Sequence, residues 1–192
     1  MTALEQMGVR AKQAARVLLT AGSEKDKALL LIAAALEEDS QKILQENEKD
    51  LSNAKHNGMS ASLQDRLALN QNRIAAMAAG VRQIAAQTDP IGEVLEGSTR
   101  PNGLKIEKVR VPLGVIGMIY EARPNVTADA AALCLKAGNA VILRGGKEAI
   151  HSNTAIADSM RKALEKAGLP KDSIQLVQDT SRASAVEMMT LT

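Results

Sequence analysis

Up to Ala85 the apolar residues recur at helical intervals, and beyond Ile91 they gather into short runs. Leu4, Met7, Ala11, Ala14, Ala15 and Leu18 follow the i, i+3, i+4 spacing of an amphipathic helix that ends near Gly22. Ser23, with Asp26 three positions on, resembles a capping box opening a second helix through Leu29, Ile32, Ala33 and Leu36. The pattern continues, with a break near Ser40, through Ile43, Leu44 and Leu51 to Asn57-Gly58. Asn70 is placed to cap a further helix carrying Ile74, Met77, Ala78, Val81 and Ile84, stopped before Asp89-Pro90. This helical layer presents no site chemistry, and Glu37, Glu38 and Asp39 read as a solvated face.

The short runs read differently. Leu104 to Val109 alternates apolar with charged residues like a strand exposed on one face, after a turn at Arg100-Pro101-Asn102-Gly103. Val115, Ile116, Met118, Ile119 and Tyr120 form a nearly continuous apolar strand, the pattern of a parallel sheet covered on both faces. Asn125 to Ala137 spaces Val126, Ala130, Leu133 and Cys134 as a helix, and Gly138-Asn139 supplies a left-handed stop. Ala140 to Leu143 is the next strand, with Arg144-Gly145-Gly146-Lys147 turning at its carboxyl end. A helix from Ser152 to Ala167 turns Ala155, Ile156, Met160 and Leu164 inward and is closed by Gly168 and Pro170. Ile174 to Val177 is a third strand, and a last helix begins near Ser181, with Thr192 within or just after it. Alternating strand and helix predicts an α/β fold with a parallel sheet, in which ligands bind at the carboxyl edge. Three strands leave an apolar edge uncovered, so the chain is expected to be the amino-terminal part of a longer protein.

Composition narrows the function. With 45% hydrophobic and 24% charged residues over 192 positions, the chain suits a soluble protein with a substantial core. A net charge of +2 without a basic tract, one Tyr and no Phe or Trp argue against nucleic acid as a partner. No stretch approaches the roughly 18 apolar residues of a membrane span, and the amino terminus lacks a secretory pattern, so a cytoplasmic location is expected. The single cysteine fits a reducing compartment. His56 and His151 lack partners at ligand spacing, so no metal site is expected, and the dispersed methionines are assigned mainly to the core. The glycines match neither a P-loop nor G-x-G-x-x-G.

Three places carry candidate chemistry. Asn125 opens a helix, where N–H groups and the helix dipole favour developing negative charge; its alternative is a helix cap. Arg123 could hold the phosphate or carboxylate of an anionic substrate, or could pair with Glu121 at the surface. Arg144-Gly145-Gly146-Lys147 sets two cations and two glycines after a buried strand, suiting close approach of a cofactor or simply a tight turn with solvated charges. Cys134 sits mid-helix among apolar residues and is assigned to core packing.

Three motifs carry a resemblance: Val111-Pro112-Leu113-Gly114-Val115-Ile116-Gly117, Tyr120-Glu121-Ala122-Arg123-Pro124-Asn125-Val126-Thr127, and the run from Gly138 to Glu148. They are similar to those of the γ-glutamyl phosphate reductase family within the aldehyde dehydrogenase superfamily. The resemblance implies an aldehyde dehydrogenase-like fold, amino-terminal helices followed by a Rossmann-like parallel sheet that is incomplete here. Residues 1–90 would be the helical layer of the cofactor-binding domain, 91–111 strands of a bridging sheet that pairs subunits, and 112–192 a truncated NADP-binding segment. It further implies NADPH-dependent reduction of L-glutamyl 5-phosphate to glutamate 5-semialdehyde, with phosphate released, in proline biosynthesis. Asn125 would stabilise the oxyanion. Ile119, Tyr120, Glu121, Arg144, Gly145, Gly146 and Lys147 would bind NADP(H), with Arg144 at the ribose and Lys147 at its 2′-phosphate. Arg123 would bind substrate. The nucleophilic cysteine would lie outside these residues, so the chain alone would be inactive, and a homo-oligomer is expected. The alternative is a non-catalytic dinucleotide-binding or oligomerisation module.

Overall fold

The computed structural model describes residues 1–191, and in it Thr2, rather than Ser23, closes a capping box. Thr2 Oγ1 accepts from the Glu5 N–H at 3.1 Å and Glu5 Oε2 accepts from the Thr2 N–H at 2.7 Å, starting helix α1 (Ala3–Leu18). Ser23 enters α2 (Glu24–Glu38) already helical, with ψ of −15°, so its hydroxyl does not cap. Asp26, expected to complete that box, instead meets Lys136 on a distant helix. The break near Ser40 falls at Asp39, where α2 gives way to α3 (Ser40–His56). A short α4 (Ala61–Leu67), without a counterpart in the sequence pattern, precedes α5 (Gln71–Ala85). Asn70 Oδ1 caps α5 by accepting from the Arg73 N–H at 2.8 Å, as the sequence indicates. Glu37 is not merely solvated, since Arg82 of α5 pairs with both of its oxygens across the α2 surface.

Strands β1 (Val94–Thr99) and β2 (Lys105–Val109) form a two-stranded antiparallel ribbon closed by the predicted turn, in which Arg100 N donates to Leu104 O at 2.9 Å. Every residue of both strands is exposed, so the ribbon is open on two faces rather than the expected one.

The second sheet is parallel, in the order β3-β4-β5, from β3 (Val115–Ile119), β4 (Ala140–Arg144) and β5 (Ile174–Leu176). Its connections are α6 (Asn125–Lys136) and α7 (Ile150–Lys166), with α8 (Arg182–Thr190) after β5. The expected end of the chain at Thr192 lies outside the described residues. Central β4 is buried from Ala140 to Leu143, whereas edge strand β3 is half-covered, with Gly117 and Ile119 exposed. Among the described residues the middle position, held by β4, is fully covered, and the apolar run of β3 is left half-covered, the uncovered edge expected of a three-stranded part of a larger sheet. Helix α1 packs on all three strands, α6 on β4, and α7 on β5. Leu29, Ile32, Leu36, Ile74 and Ile156 are fully buried between the helices, each worth about 1.5–3 kcal/mol of hydrophobic stabilisation. Leu133, expected inside, is 53% exposed on the solvent face of α6.

Gly138 ends α6 with φ of 71°, and a Cβ there would meet Pro112 Cγ at 2.9 Å. Asn139 Oδ1 then accepts from the Gly114 N–H at 2.8 Å, fixing where β3 and β4 begin to pair. No described helix is long and apolar enough to cross a membrane.

Candidate active site

At the carboxyl edge, pairing runs one residue past β3: Tyr120 N donates to Arg144 O at 3.1 Å. The Tyr120 ring turns inward, and its hydroxyl lies 2.6 Å from Thr127 Oγ1, which donates to Asn153 Oδ1 at 2.9 Å. Burial pushes the Tyr120 phenol up to about 12, against the opposing pull of its bond to Thr127. A Cβ on Gly145 would meet Asn153 Nδ2 at 2.2 Å and the Tyr120 ring at 3.2 Å, and one on Gly146 would meet the Ala122 nitrogen at 3.3 Å. The two glycines thus let the segment 120–122 lie directly on the turn after β4. Sequence reasoning, which left room for a cofactor there, did not foresee this neighbour.

The two cations of the turn diverge. Arg144 Nη2 donates to the carbonyls of Thr180 and Ser181, at 2.8 and 3.0 Å, tying the end of β4 to the loop after β5. In that loop Asp179 accepts from the Ser181 N–H and hydroxyl; these bonds, with nearby Arg144, hold its carboxyl below the usual range. Arg144 Nε is buried with no partner among the described residues. Lys147 and Glu121 are both exposed, and neither carries an ion pair among the described residues. Ile119 is 44% exposed at the strand end. An orphaned buried N–H and a free ammonium at the carboxyl edge of a parallel sheet fit an anionic, acceptor-rich cofactor.

A separate cleft of about 440 Å³ opens between α4, α5 and the start of α6. Asn125 and Arg123 both line it. Pro124, not Asn125, holds the cap position of α6 and makes no side-chain cap bond. The Asn125 amide instead donates through Nδ2 to Asp129 Oδ2 at 3.0 Å, one turn along the helix. A cap is therefore not what this side chain does. Burial raises the Asp129 carboxyl, with the Asn125 bond opposing it.

Arg66, Arg73 and Asp65 of the helical layer and Asp129 of α6 complete the polar lining. Arg73 is spent on structure: its guanidinium donates to Asp65 Oδ1 at 2.9 Å, to the Ala68 carbonyl at 2.7 Å and to the Asp65 carbonyl. Arg66 and Arg123 have no side-chain hydrogen bond or ion pair among the described residues. The alternative surface pairing of Arg123 with Glu121 does not form; only their backbones meet, Arg123 N to Glu121 O at 2.8 Å. Cys134 is 5% exposed, and burial pushes its thiol up to about 11, which keeps it protonated and unreactive at neutral pH.

A helical layer on a parallel sheet, with a polar cleft where α6 begins, is an α/β arrangement of the kind that binds ligands at the sheet's carboxyl edge. The model of the aldehyde dehydrogenase family matches residues 4–191, and the chain belongs to that family, which implies a nicotinamide dinucleotide cofactor. Among its relatives, the chain is similar to γ-glutamyl phosphate reductase from Anoxybacillus flavithermus, 53% identical over 98% of this chain and 46% of that protein. A second relative of the same name, from Brucella anthropi, is 56% identical over 97% of this chain and 44% of its own length. The crystal structure of γ-glutamyl phosphate reductase from Thermotoga maritima superposes with a TM-score of 0.97 at 41% identity, covering 99% of this chain and 46% of that one. The chain spans about half the length of the curated relatives it matches.

Proposed function

We propose that these residues are the cofactor-binding part of an NADPH-dependent γ-glutamyl phosphate reductase, a cytoplasmic enzyme that converts L-glutamyl 5-phosphate to L-glutamate 5-semialdehyde and phosphate. The observation that carries the reading is the likeness to enzymes of that name over nearly the whole chain, at 53% identity and, for the solved structure, a TM-score of 0.97. The site chemistry supports it. The orphaned Arg144 N–H is assigned to the ribose of the cofactor and Lys147 to its 2′-phosphate, with Ile119, Tyr120, Glu121, Gly145 and Gly146 as its bed. When bound, the reduced nicotinamide supplies a hydride. Asn125, whose second amide N–H is free of Asp129, is assigned to the oxygen that becomes negative as a nucleophile adds to the acyl carbon. The Arg123 guanidinium is assigned to an anionic group of the substrate. Cys134 is too buried to be the nucleophile, so that thiol belongs to residues beyond these 192, and the chain alone is inactive. The exposed ribbon of β1 and β2, which shows Ile106 and Val109 to solvent, is assigned to subunit pairing.

The reverse reaction tests the reading. The native gene product containing these residues should reduce NADP⁺ in the presence of L-glutamate 5-semialdehyde, and only when inorganic phosphate is added. Turnover without phosphate, or none with it, would remove the assignment.

A further inference from the structure

Resting on the proposed reaction, we infer that the cleft beside Asn125 reads the zwitterionic head of an α-amino-acid substrate, with Asp129 receiving the ammonium and Arg66 the carboxylate.

Three observations put an uncommitted guanidinium and an uncommitted carboxylate oxygen on the lining of one cleft. Arg66 reaches the cleft from α4 with no hydrogen bond or ion pair among the described residues, although Asp65 lies next to it in the chain. Asp65 is occupied by Arg73, so the lining keeps one uncommitted guanidinium on the α4 side. On the α6 side, Asp129 gives one oxygen to Asn125, and Oδ1 takes no hydrogen bond among the described residues. A half-buried carboxylate with an open oxygen is costly to maintain without a cationic partner, and burial already raises its pKa. An α-ammonium supplies that partner, and the adjacent α-carboxylate then faces Arg66, which can take it through paired charge-assisted bonds.

The same arrangement orients the substrate. Asp129 bonds to both the amino-acid head and the Asn125 amide, so the distal end of the ligand and the donor assigned to its reacting end share one anchor. Arg123, on the segment before α6, is left for the anionic group at the acyl end. Asp129 and Arg66 are thus specificity residues, acting on substrate atoms remote from the chemistry.

Ligand deletion against residue deletion tests this by calorimetric titration of the full native gene product. The probes are L-glutamate, glutarate, which lacks the ammonium, and 4-aminobutyrate, which lacks the α-carboxylate. Asp129→Asn should weaken L-glutamate about tenfold or more, the worth of one charge-assisted bond, and leave glutarate unchanged. Arg66→Gln should weaken L-glutamate and glutarate alike and leave 4-aminobutyrate unchanged. Glutarate binding by Asp129→Asn also reports that the variant is folded. Equal losses for all three ligands, no loss for any, or no binding of L-glutamate by the unaltered protein would each overturn the inference. Phosphate-dependent turnover without the ligand pattern would sink this inference alone, whereas the ligand pattern without turnover would sink the proposed reaction and leave the cleft an amino-acid site.

Discussion

Lys136 Nζ lies 2.6 Å from Asp26 Oδ1 and donates also to the Ala85 carbonyl at 2.9 Å, joining the last turn of α6 to the start of α2 and the end of α5. Lys136 is 3% exposed, so its ammonium depends on both acceptors for compensation. Lys136→Ala should lower unfolding stability by about 2 kcal/mol, because it leaves a buried carbonyl and a partly buried carboxylate unpaired. Urea unfolding measures it, and a change within about 0.5 kcal/mol, the usual range for surface substitutions, would show that the junction is held by apolar packing alone.

Buried Asp50 starts α7 from outside the helix, accepting from the N–H groups of His151 and Ser152 at 3.2 and 2.8 Å and from the Ser152 hydroxyl at 2.6 Å. Burial raises its carboxyl more than these bonds and the nearby His151 lower it. The folded chain therefore holds this proton more tightly than the unfolded chain does. That contribution is fully present below the unfolded value of about 3.9 and is lost as pH rises through the higher folded value. Relative to Asp50→Asn, the native protein should lose stability as pH climbs from about 4 into the weakly acid range. Asp50→Ala should cost about 2 kcal/mol below about pH 4, since it orphans all three donors, and less as pH rises and the native carboxyl loses its contribution. Unfolding curves across pH decide both, and a flat difference between Asp50→Asn and the native protein would contradict the first.

Lys147 and Arg144 should separate in their effects. Lys147→Ala should weaken NADPH about tenfold or more without changing the melting temperature, because its side chain bonds to nothing described in the fold. Arg144→Ala should weaken NADPH and also lower the melting temperature, since it frees the Thr180 and Ser181 carbonyls. Fluorescence titration with NADPH reads the first effect, and unchanged affinity in both variants would end the cofactor assignment.

Cys134 should resist alkylation in the native protein at pH 8 and react fully after denaturation, given a thiol pushed up to about 11. Mass spectrometry of the alkylated peptide checks it. Rapid native labelling would mean that α6 opens.

Much of this architecture is legible in the chain because local patterns agree with the final packing. The i, i+4 stripes of α1, α2 and α5, the break at Asp39, the Asn70 cap and the Arg100 to Gly103 turn depend only on near neighbours. What the sequence hides depends on distant partners. Ser23 and Asp26 spell a capping box, but Lys136, 110 positions away, takes the Asp26 carboxylate, and Ser23 enters α2 already helical. The apolar runs mark β3, β4 and β5 as strands, but not their order in the sheet, which periodicity does not encode. In the candidate site, Asn125 and Arg123 stand out in one motif, whereas Arg66 and Asp129 are ordinary helix-surface charges until α4 and α6 are brought to one cleft.

The central claim is that Asn125 stabilises the charge developing on a substrate held at this edge. Steady-state kinetics of Asn125→Ala in the full native gene product, with L-glutamate 5-semialdehyde, phosphate and NADP⁺, tests it most directly. The account predicts a kcat lower by about 10² to 10³, the usual loss for one oxyanion donor, with KM nearly unchanged. An unchanged kcat would contradict the account and leave Asn125 as no more than the hydrogen-bond partner of Asp129.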